Sequence, residues 1–190
     1  MILYLHGFRS APASHKAQQL RALMAARGLA DAFNCPQLPA SPRAAIAVAE
    51  RIIAASATSA APVTLVGSSL GGAYATHLAE RHDLKAVLVN PAVVAHLSLA
   101  PYVGQQTNLF TGESFEFTPA HIEELEALET SRLGQPGRYW LMVETGDEVL
   151  DYRQAVKKYA GARQTVLAGG DHSFTRWPDY LDELLDFAGL

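Results

Sequence analysis

The stretch VTLVGSSLGGAYA, Val63–Ala75, limits the folds open to this chain more than any other. A β-type apolar run, Val63–Gly67, passes into a helix-type run that reaches about His82, with no linker between them. Within the junction, Gly67-Ser68-Ser69-Leu70-Gly71 fits G-x-S-x-G. A serine on so tight a strand-to-helix turn is forced into a strained conformation with its hydroxyl outward. Side chains at the two flanking positions would collide with neighbouring backbone, and glycine avoids this. The Leu70 N–H and the positive end of the new helix then point where an oxyanion would develop. A chance match to the pattern is only a Gly-rich turn with a capping serine. Its placement between a strand and a helix favours Ser69 as a nucleophile. Ser68 lacks the symmetric glycine spacing and reads as a polar neighbour.

The rest of the chain repeats this strand-then-helix rhythm. Strands are expected at Ile2–His6, more weakly at Asp31–Pro36, and at Val63–Gly67, Lys85–Val89, Tyr139–Glu144 and Gln164–Leu167. Helices are expected at His15–Arg27 with Ser14 as cap and Gly28 as stop, and from Ser41-Pro42 to about Thr58. Further helices follow Ser69, lie near Tyr152–Tyr159, and close the chain at Trp177–Ala188. Such alternation predicts an α/β fold, a mostly parallel sheet of about six strands between two layers of helices.

The stretch Ala92–Gly137 breaks the rhythm and is too long for an ordinary connection. It carries Tyr102, Phe110, Phe115 and Phe117, then HIEELEALE behind a Thr118-Pro119 cap. It reads as a cap-like insertion over the carboxyl edge of the sheet, within one domain spanning residues 1–190. Phe110, Phe115 and Phe117 are expected to line the substrate there. The plainer alternative is that these rings seal the sheet edge.

With 190 residues, 49% of them apolar and 18% charged, the chain can bury a substantial core and is not of disordered composition. A net charge of −4 without a basic stripe argues against nucleic acid as a partner. The single cysteine, Cys35, permits no internal disulfide. MILYLHGF lacks a basic region ahead of an apolar one, and no apolar run is long enough to span a bilayer. No membrane partner and a cytoplasmic location are expected. No H-E-x-x-H or Cys/His cluster has metal-ligand spacing, so no cofactor is expected.

A serine nucleophile needs a base, and imidazole can take and return a proton near neutral pH. Of seven histidines, His172 follows the last strand in LAGGDHSF, where glycines let a loop swing over the sheet edge. His15 is the serious competitor. His77 and His82 point away on the helix after Ser69, and His96 and His121 are expected to be exposed. His6 reads as a turn residue bonded locally. Asp147, in TGDEVLDYR, is the acid expected to orient the base, with Glu144, Glu148 and Asp151 as alternatives. Asp151 has a ready role as a helix cap. The order Ser69, Asp147, His172 puts each residue after a successive strand end. The N–H of Phe8, after the first strand, is the expected second oxyanion donor beside Leu70.

YLHGFRSAPASHKA, VGSSLGG, TGDEVLDYR and GGDHSF together resemble the YqiA-type esterases, small single-domain α/β-hydrolases, over nearly the whole chain. The resemblance implies hydrolysis of carboxylic esters through an acyl-enzyme on the triad named above. It also implies a minimal sheet, because the first strand already carries the HGF motif. The runner-up is a thioesterase on acyl-CoA or a carrier-bound acyl group. That enzyme would add a basic patch for phosphates drawn from Arg9, Lys16, Arg43 and Arg176. A binding protein on a retired hydrolase fold is the third reading, and the intact Ser/Asp/His set argues against it.

Overall fold

The structure is a computed structural model that describes residues 1–56 and 62–190. The chain runs β1 (Ile2–Leu5), α1 (His15–Ala26), β2 (Phe33–Asn34), α2 (Pro42–Ser56), β3 (Thr64–Ser68), α3 (Leu70–His82) and β4 (Lys85–Val89). There follow α4 (Ala95–Leu99), β5 (Gly104–Thr107), β6 (Ser114–Phe117) and α5 (Pro119–Ala127). The chain then ends with β7 (Tyr139–Glu144), α6 (Tyr152–Lys158), β8 (Arg163–Leu167) and α7 (Leu181–Ala188). Among the described residues, six strands form one parallel sheet in the order β2-β1-β3-β4-β7-β8.

The strands show no alternation of apolar and polar residues because both faces of the sheet are covered. Their two-residue period instead sorts side chains between two cores. Ile2, Tyr4, Val66 and Trp140 pack with Leu20 and Met24 of α1 and Leu184 of α7. Leu3, Leu5, Leu65 and Leu141 pack with Ile46 of α2 and Leu78 of α3. The result is a three-layer α/β sandwich. Among the described residues, no helix is long and apolar enough to cross a membrane.

Chain order and sheet order part company at β1. The chain moves from β1 outward to β2, then returns to place β3 on the other side of β1. Such a reversal opens a crevice beyond the carboxyl ends of the two strands, where α/β sheets bind ligands. The HGF segment leaves β1 there, and Ser69 leaves β3 there.

Several boundaries shift from expectation. The weak strand at Asp31–Pro36 contracts to two residues, because Ala30–Ala32 form a 3-10 turn and Pro36 cannot donate to a ladder. Ser14 occupies the N-cap position of α1 without a side-chain hydrogen bond, whereas the Ser41 hydroxyl does cap α2, accepting from the Ala44 N–H at 3.2 Å. The described helix α2 ends at Ser56, so the expected end at Thr58 lies outside the described residues. The final helix begins as a 3-10 turn, Trp177–Tyr180.

The stretch 92–137 contains a feature not read from the sequence, an antiparallel β5–β6 hairpin. Its tip is an Asx-type turn. Asn108 Oδ1 accepts the N–H groups of Phe110 and Thr111, and its amide donates to the Ser10 carbonyl at 2.8 Å. The Leu109 N–H donates to the Arg9 carbonyl at 2.8 Å. The tip is thereby docked on the loop after β1, beside the crevice.

Candidate active site

Ser69 has φ 55° and ψ −121°, a conformation that costs a non-glycine residue about 1–3 kcal/mol. The turn holds it there from three sides: the Ser69 N–H donates to the Val89 carbonyl at 3.0 Å, and its carbonyl accepts from Gly72 at 2.9 Å and Ala92 at 3.0 Å. The flanking glycines are required by close approach. A β-carbon on Gly67 would lie 2.2 Å from the Gly71 oxygen, and one on Gly71 would lie 1.9 Å from the Leu5 oxygen.

His172 Nε2 lies 3.0 Å from Ser69 Oγ, and its Nδ1 lies 2.8 Å from Asp147 Oδ2. The Asp147 side chain is 2% exposed, and its Oδ1 also accepts the N–H groups of Val149 and Leu150. Burial pushes the Asp147 carboxyl up, but the His172 bond and those two N–H groups together hold it below the usual carboxylate range. An ionised carboxylate only accepts. Its partner Nδ1 must therefore carry the proton, which leaves Nε2 free to accept from Ser69.

The alternative acids have other work. Asp151 caps α6, accepting the Arg153 N–H at 3.0 Å and pairing with its guanidinium. Glu148 accepts the His172 backbone N–H at 3.0 Å. Glu144 lies fully buried beneath the His172 loop. His15 is exposed and lines the cleft, with its ring centroid 6.4 Å from that of Phe110 and no hydrogen bond to Ser69. His6 is buried, with Nε2 accepting the Leu38 N–H at 3.1 Å and Nδ1 on the Gly7 carbonyl at 3.0 Å. Burial lowers its pKa, so it is a neutral staple. His96 and His121 are half-buried, not exposed: His96 faces Glu129, and His121 completes the capping box of α5.

Two clefts meet at residues Gly7–Ser10. One, of about 290 Å³, contains Ser69, His172, Arg9, His15, Lys16 and Phe110. The other, of about 520 Å³, runs past Leu70 and Phe8 between Leu38, Pro39, Tyr74 and Phe115. Phe117, expected to line the substrate, does not. It is fully buried, because its ring packs edge-on to Phe8 at 4.9 Å and supports that residue from below. Of the four cations considered for a phosphate patch, Arg43 faces Glu124 and Arg176 is bound to Glu144, while Arg9 and Lys16 share the smaller cleft.

Residues 1–189 match the Uncharacterised protein family (UPF0227). The chain belongs to this family. Among solved structures it is similar to α/β hydrolase domain-containing protein 10 from mouse, at 17% identity and a TM-score of 0.72, over 97% of this chain and 89% of that one. A monoacylglycerol lipase from Paleococcus ferrophilus is similar at 15% identity and a TM-score of 0.71, over 98% and 93%. The esterase domain of a Rhodothermus marinus protein is similar at 19% identity and a TM-score of 0.69, over 98% and 85%. At these identities the likeness establishes the α/β-hydrolase fold.

In this UPF0227 chain, the His172 loop is held by Glu144, read from the sequence only as an alternative acid, and by Asn90, which the sequence did not mark as functional. The Glu144 carboxylate accepts from the Asp171, Thr175 and Arg176 N–H groups, the Thr175 hydroxyl and Arg176 Nε. Burial raises its pKa, and these donors outweigh that and bring it below the ordinary value. Asn90, at φ 41°, donates its amide to the Asp171 and His172 carbonyls and accepts the Glu144 N–H. The signal for Glu144 was present: a charged residue closes an otherwise apolar strand, YWLMVE.

Proposed function

We propose that the chain is a carboxylic-ester hydrolase that works through an acyl-enzyme on Ser69. The observation that carries this reading is the continuous chain from Ser69 Oγ through His172 to the buried Asp147, set at the β1/β3 crevice. The family resemblance of its motifs and the esterase and lipase among its structural neighbours support it.

Ser69 Oγ attacks the ester carbonyl while His172 Nε2 takes its proton, and Asp147 steadies the resulting imidazolium. The N–H groups of Phe8 and Leu70 donate to the oxyanion. Losing one such donor costs roughly a hundred- to a thousand-fold in rate. The acyl C–O bond breaks as His172 gives the proton to the leaving oxygen. A water deprotonated by His172 then attacks the acyl carbon, the bond to Ser69 Oγ breaks, and His172 returns the proton to Ser69 Oγ as the acid leaves. A thioester carbonyl would follow the same steps.

The test is covalent labelling by a fluorophosphonate, with the labelled peptide identified by mass spectrometry. Label on Ser69, and loss of both label and aryl-ester hydrolysis in Ser69→Ala, is the expected result. Label on Ser68 or Ser173, or none on active protein, would overturn the assignment.

A further inference from the structure

The chemistry of acyl transfer assigns the two clefts, given the hydrolase reading above on which this inference rests. The carbonyl oxygen must face the N–H groups of Phe8 and Leu70, and the leaving oxygen must come within reach of His172 Nε2. The leaving group therefore departs into the smaller cleft, which His172 lines, and the acyl group lies along the larger one past Leu70. The larger cleft offers Leu38, Pro39, Tyr74 and Phe115, surfaces suited to an apolar acyl group.

The smaller cleft has a different character. His15 and Lys16 line it together with Arg9, which borders both clefts, and among the described residues no Asp or Glu lines it, whereas Glu113 lines the larger one. Arg9 is half-buried. Its Nε donates to the Thr107 carbonyl at 3.0 Å, and its carbonyl is fixed by Leu109 at the hairpin tip, so the side chain is anchored with its terminal nitrogens spare. Lys16 Nζ donates to the Ser173 carbonyl at 2.7 Å, which leaves further N–H donors. Neither cation has an ion-pair partner among the described residues. The acids whose charge reaches Lys16 are Asp171, Glu144 and Asp147. Asp171 is turned to the Ser173 N–H, Glu144 to Thr175 and Arg176, and Asp147 to His172. Half-buried cations without a partner are costly unless an anion joins them. The first turn of α1 adds backbone N–H groups at the same wall, since Ser14 does not cap them with its side chain. All this positive character is gathered beside the nucleophile of a chain whose net charge is −4.

We propose that the Arg9–His15–Lys16 cleft is a subsite for a negatively charged leaving group, and that the preferred substrates join an apolar acyl group to an alcohol bearing a carboxylate or a phosphate. The anion is held by Arg9 and Lys16 while His172, on the same cleft, protonates the departing oxygen. A charge on the acyl half gains nothing, because the larger cleft shares Arg9 but sets Glu113 against it and lacks His15 and Lys16.

The experiment uses matched esters with rates divided by their hydroxide-catalysed rates. 4-Acetoxybenzoate is compared with its methyl ester, 4-acetoxyphenyl phosphate with 4-methoxyphenyl acetate, and monophenyl succinate with methyl phenyl succinate. The normalised kcat/KM should favour each leaving-group anion by about tenfold or more, the scale of one charge-assisted hydrogen bond, and should not favour the succinate. The larger gain, carboxylate or phosphate, identifies the group. Arg9→Gln and Lys16→Gln, each checked by thermal melt, should both lower the ratio of anionic to neutral ester. Calorimetric titration of the Ser69→Ala protein with 4-hydroxybenzoate should show binding that Arg9→Gln weakens and that the methyl ester lacks. If neutral esters are cleaved as well as anionic ones and 4-hydroxybenzoate does not bind, the subsite is overturned and the hydrolase stands. If no ester is cleaved yet 4-hydroxybenzoate binds through Arg9, the hydrolase reading fails and the subsite stands.

Discussion

The turn that carries Ser69 and the loop that carries His172 meet at one hydrogen bond, yet they are built by opposite means. The serine turn is fixed by backbone against backbone: Gly67 against Gly71, Gly71 against the end of β1, and the Ser69 N–H on β4. The histidine loop, Gly169–Arg176, is fixed by side chains reaching up from the ends of β4 and β7, chiefly Asn90, Glu144 and Glu148. Close backbone packing needs glycines at set spacings and leaves a local motif. A loop held by distant carboxylates and an amide leaves none. The difference predicts that the turn fails only by collision, whereas the loop can be loosened by degrees.

The largest effect should come where the two meet. Asp147→Asn should lower kcat on the order of ten-thousand-fold at nearly unchanged melting temperature, because an amide favours the wrong imidazole tautomer. Asp151→Asn should leave kcat near wild type, since asparagine caps α6 nearly as well. Steady-state rates on one aryl ester, with melts of both variants, decide this. Collapse of kcat in Asp151→Asn alone would mean the wrong acid.

Glu144→Gln should weaken the loop without touching the turn. The new amide meets N–H donors with an N–H of its own, so the loop shifts, and a displacement near 1 Å can cost about a hundred-fold in rate. The expected signature is a fall in kcat at near-constant KM, with fluorophosphonate labelling of Ser69 slowed in parallel. Linkage gives a second readout. The Glu144 pKa lies below its ordinary value in the fold, so its stabilisation is present above about pH 4.5, near the unfolded carboxyl value, and is lost as pH falls through the folded value. Wild-type melting temperature should therefore drop on acidification by more than that of Glu144→Gln. Equal acid sensitivity would mean that the backbone alone holds the loop.

The positive wall of the smaller cleft should respond to pH in the opposite range. Burial lowers the Lys16 ammonium to about 8, against the opposing charges of Asp171, Glu144 and Asp147. Arg9, His15 and His172 share its cleft and repel it when charged. Lys16 is thus charged below about pH 8 and loses its charge as pH rises through that value. The preference for anionic over neutral esters should shrink several-fold between pH 7 and pH 9 without vanishing, since Lys16 is only one of the cleft's cations and guanidinium groups do not lose their charge in proteins. A flat ratio would remove Lys16 from the subsite.

What the sequence disclosed follows the same division. The six strands, the serine turn and the chain order of Ser69, Asp147 and His172 are carried by local patterns: buried apolar runs, glycine spacing, residues just past strand ends. The β5–β6 hairpin was missed because its strands, GQQT and SFEF, are short and half-exposed, and an asparagine rather than an Asn-Gly pair turns its tip. The glycine before Asp147 sits in a sharp turn, with the Asp147 N–H on the Glu144 carbonyl at 3.2 Å, and it also serves a close approach, since a β-carbon on Gly146 would lie 2.3 Å from the Gly170 oxygen. That contact joins residues 24 positions apart, and no local pattern encodes it.

The smallest effect should separate two phenylalanines that look alike in the sequence. Phe110 and Phe117 both lie in the aromatic stretch 92–137, seven residues apart. Phe110 is 41% exposed at the rim of the smaller cleft, near His15, and its ring has room to move. Phe117 is fully enclosed by Phe8, His121 and the core. Truncating an enclosed ring leaves a cavity, so Phe117→Ala should cost about 3–5 kcal/mol of stability. Through Phe8 it should also slow every ester by a common factor. Phe110→Ala removes a rim contact and should leave the melting temperature within a degree or two, because surface changes are usually within about 0.5 kcal/mol. Its kinetic effect should be a few-fold at most. It should depend on the alcohol half of the ester and not on acyl chain length, because Phe110 lines the cleft on the His172 side. Two series of aryl esters, one varying the acyl chain and one varying the phenol, measure this against both variants. If Phe110→Ala alters the acyl series and leaves the phenol series flat, the assignment of the two clefts is reversed, and Phe115 rather than Phe110 should then govern the choice of alcohol.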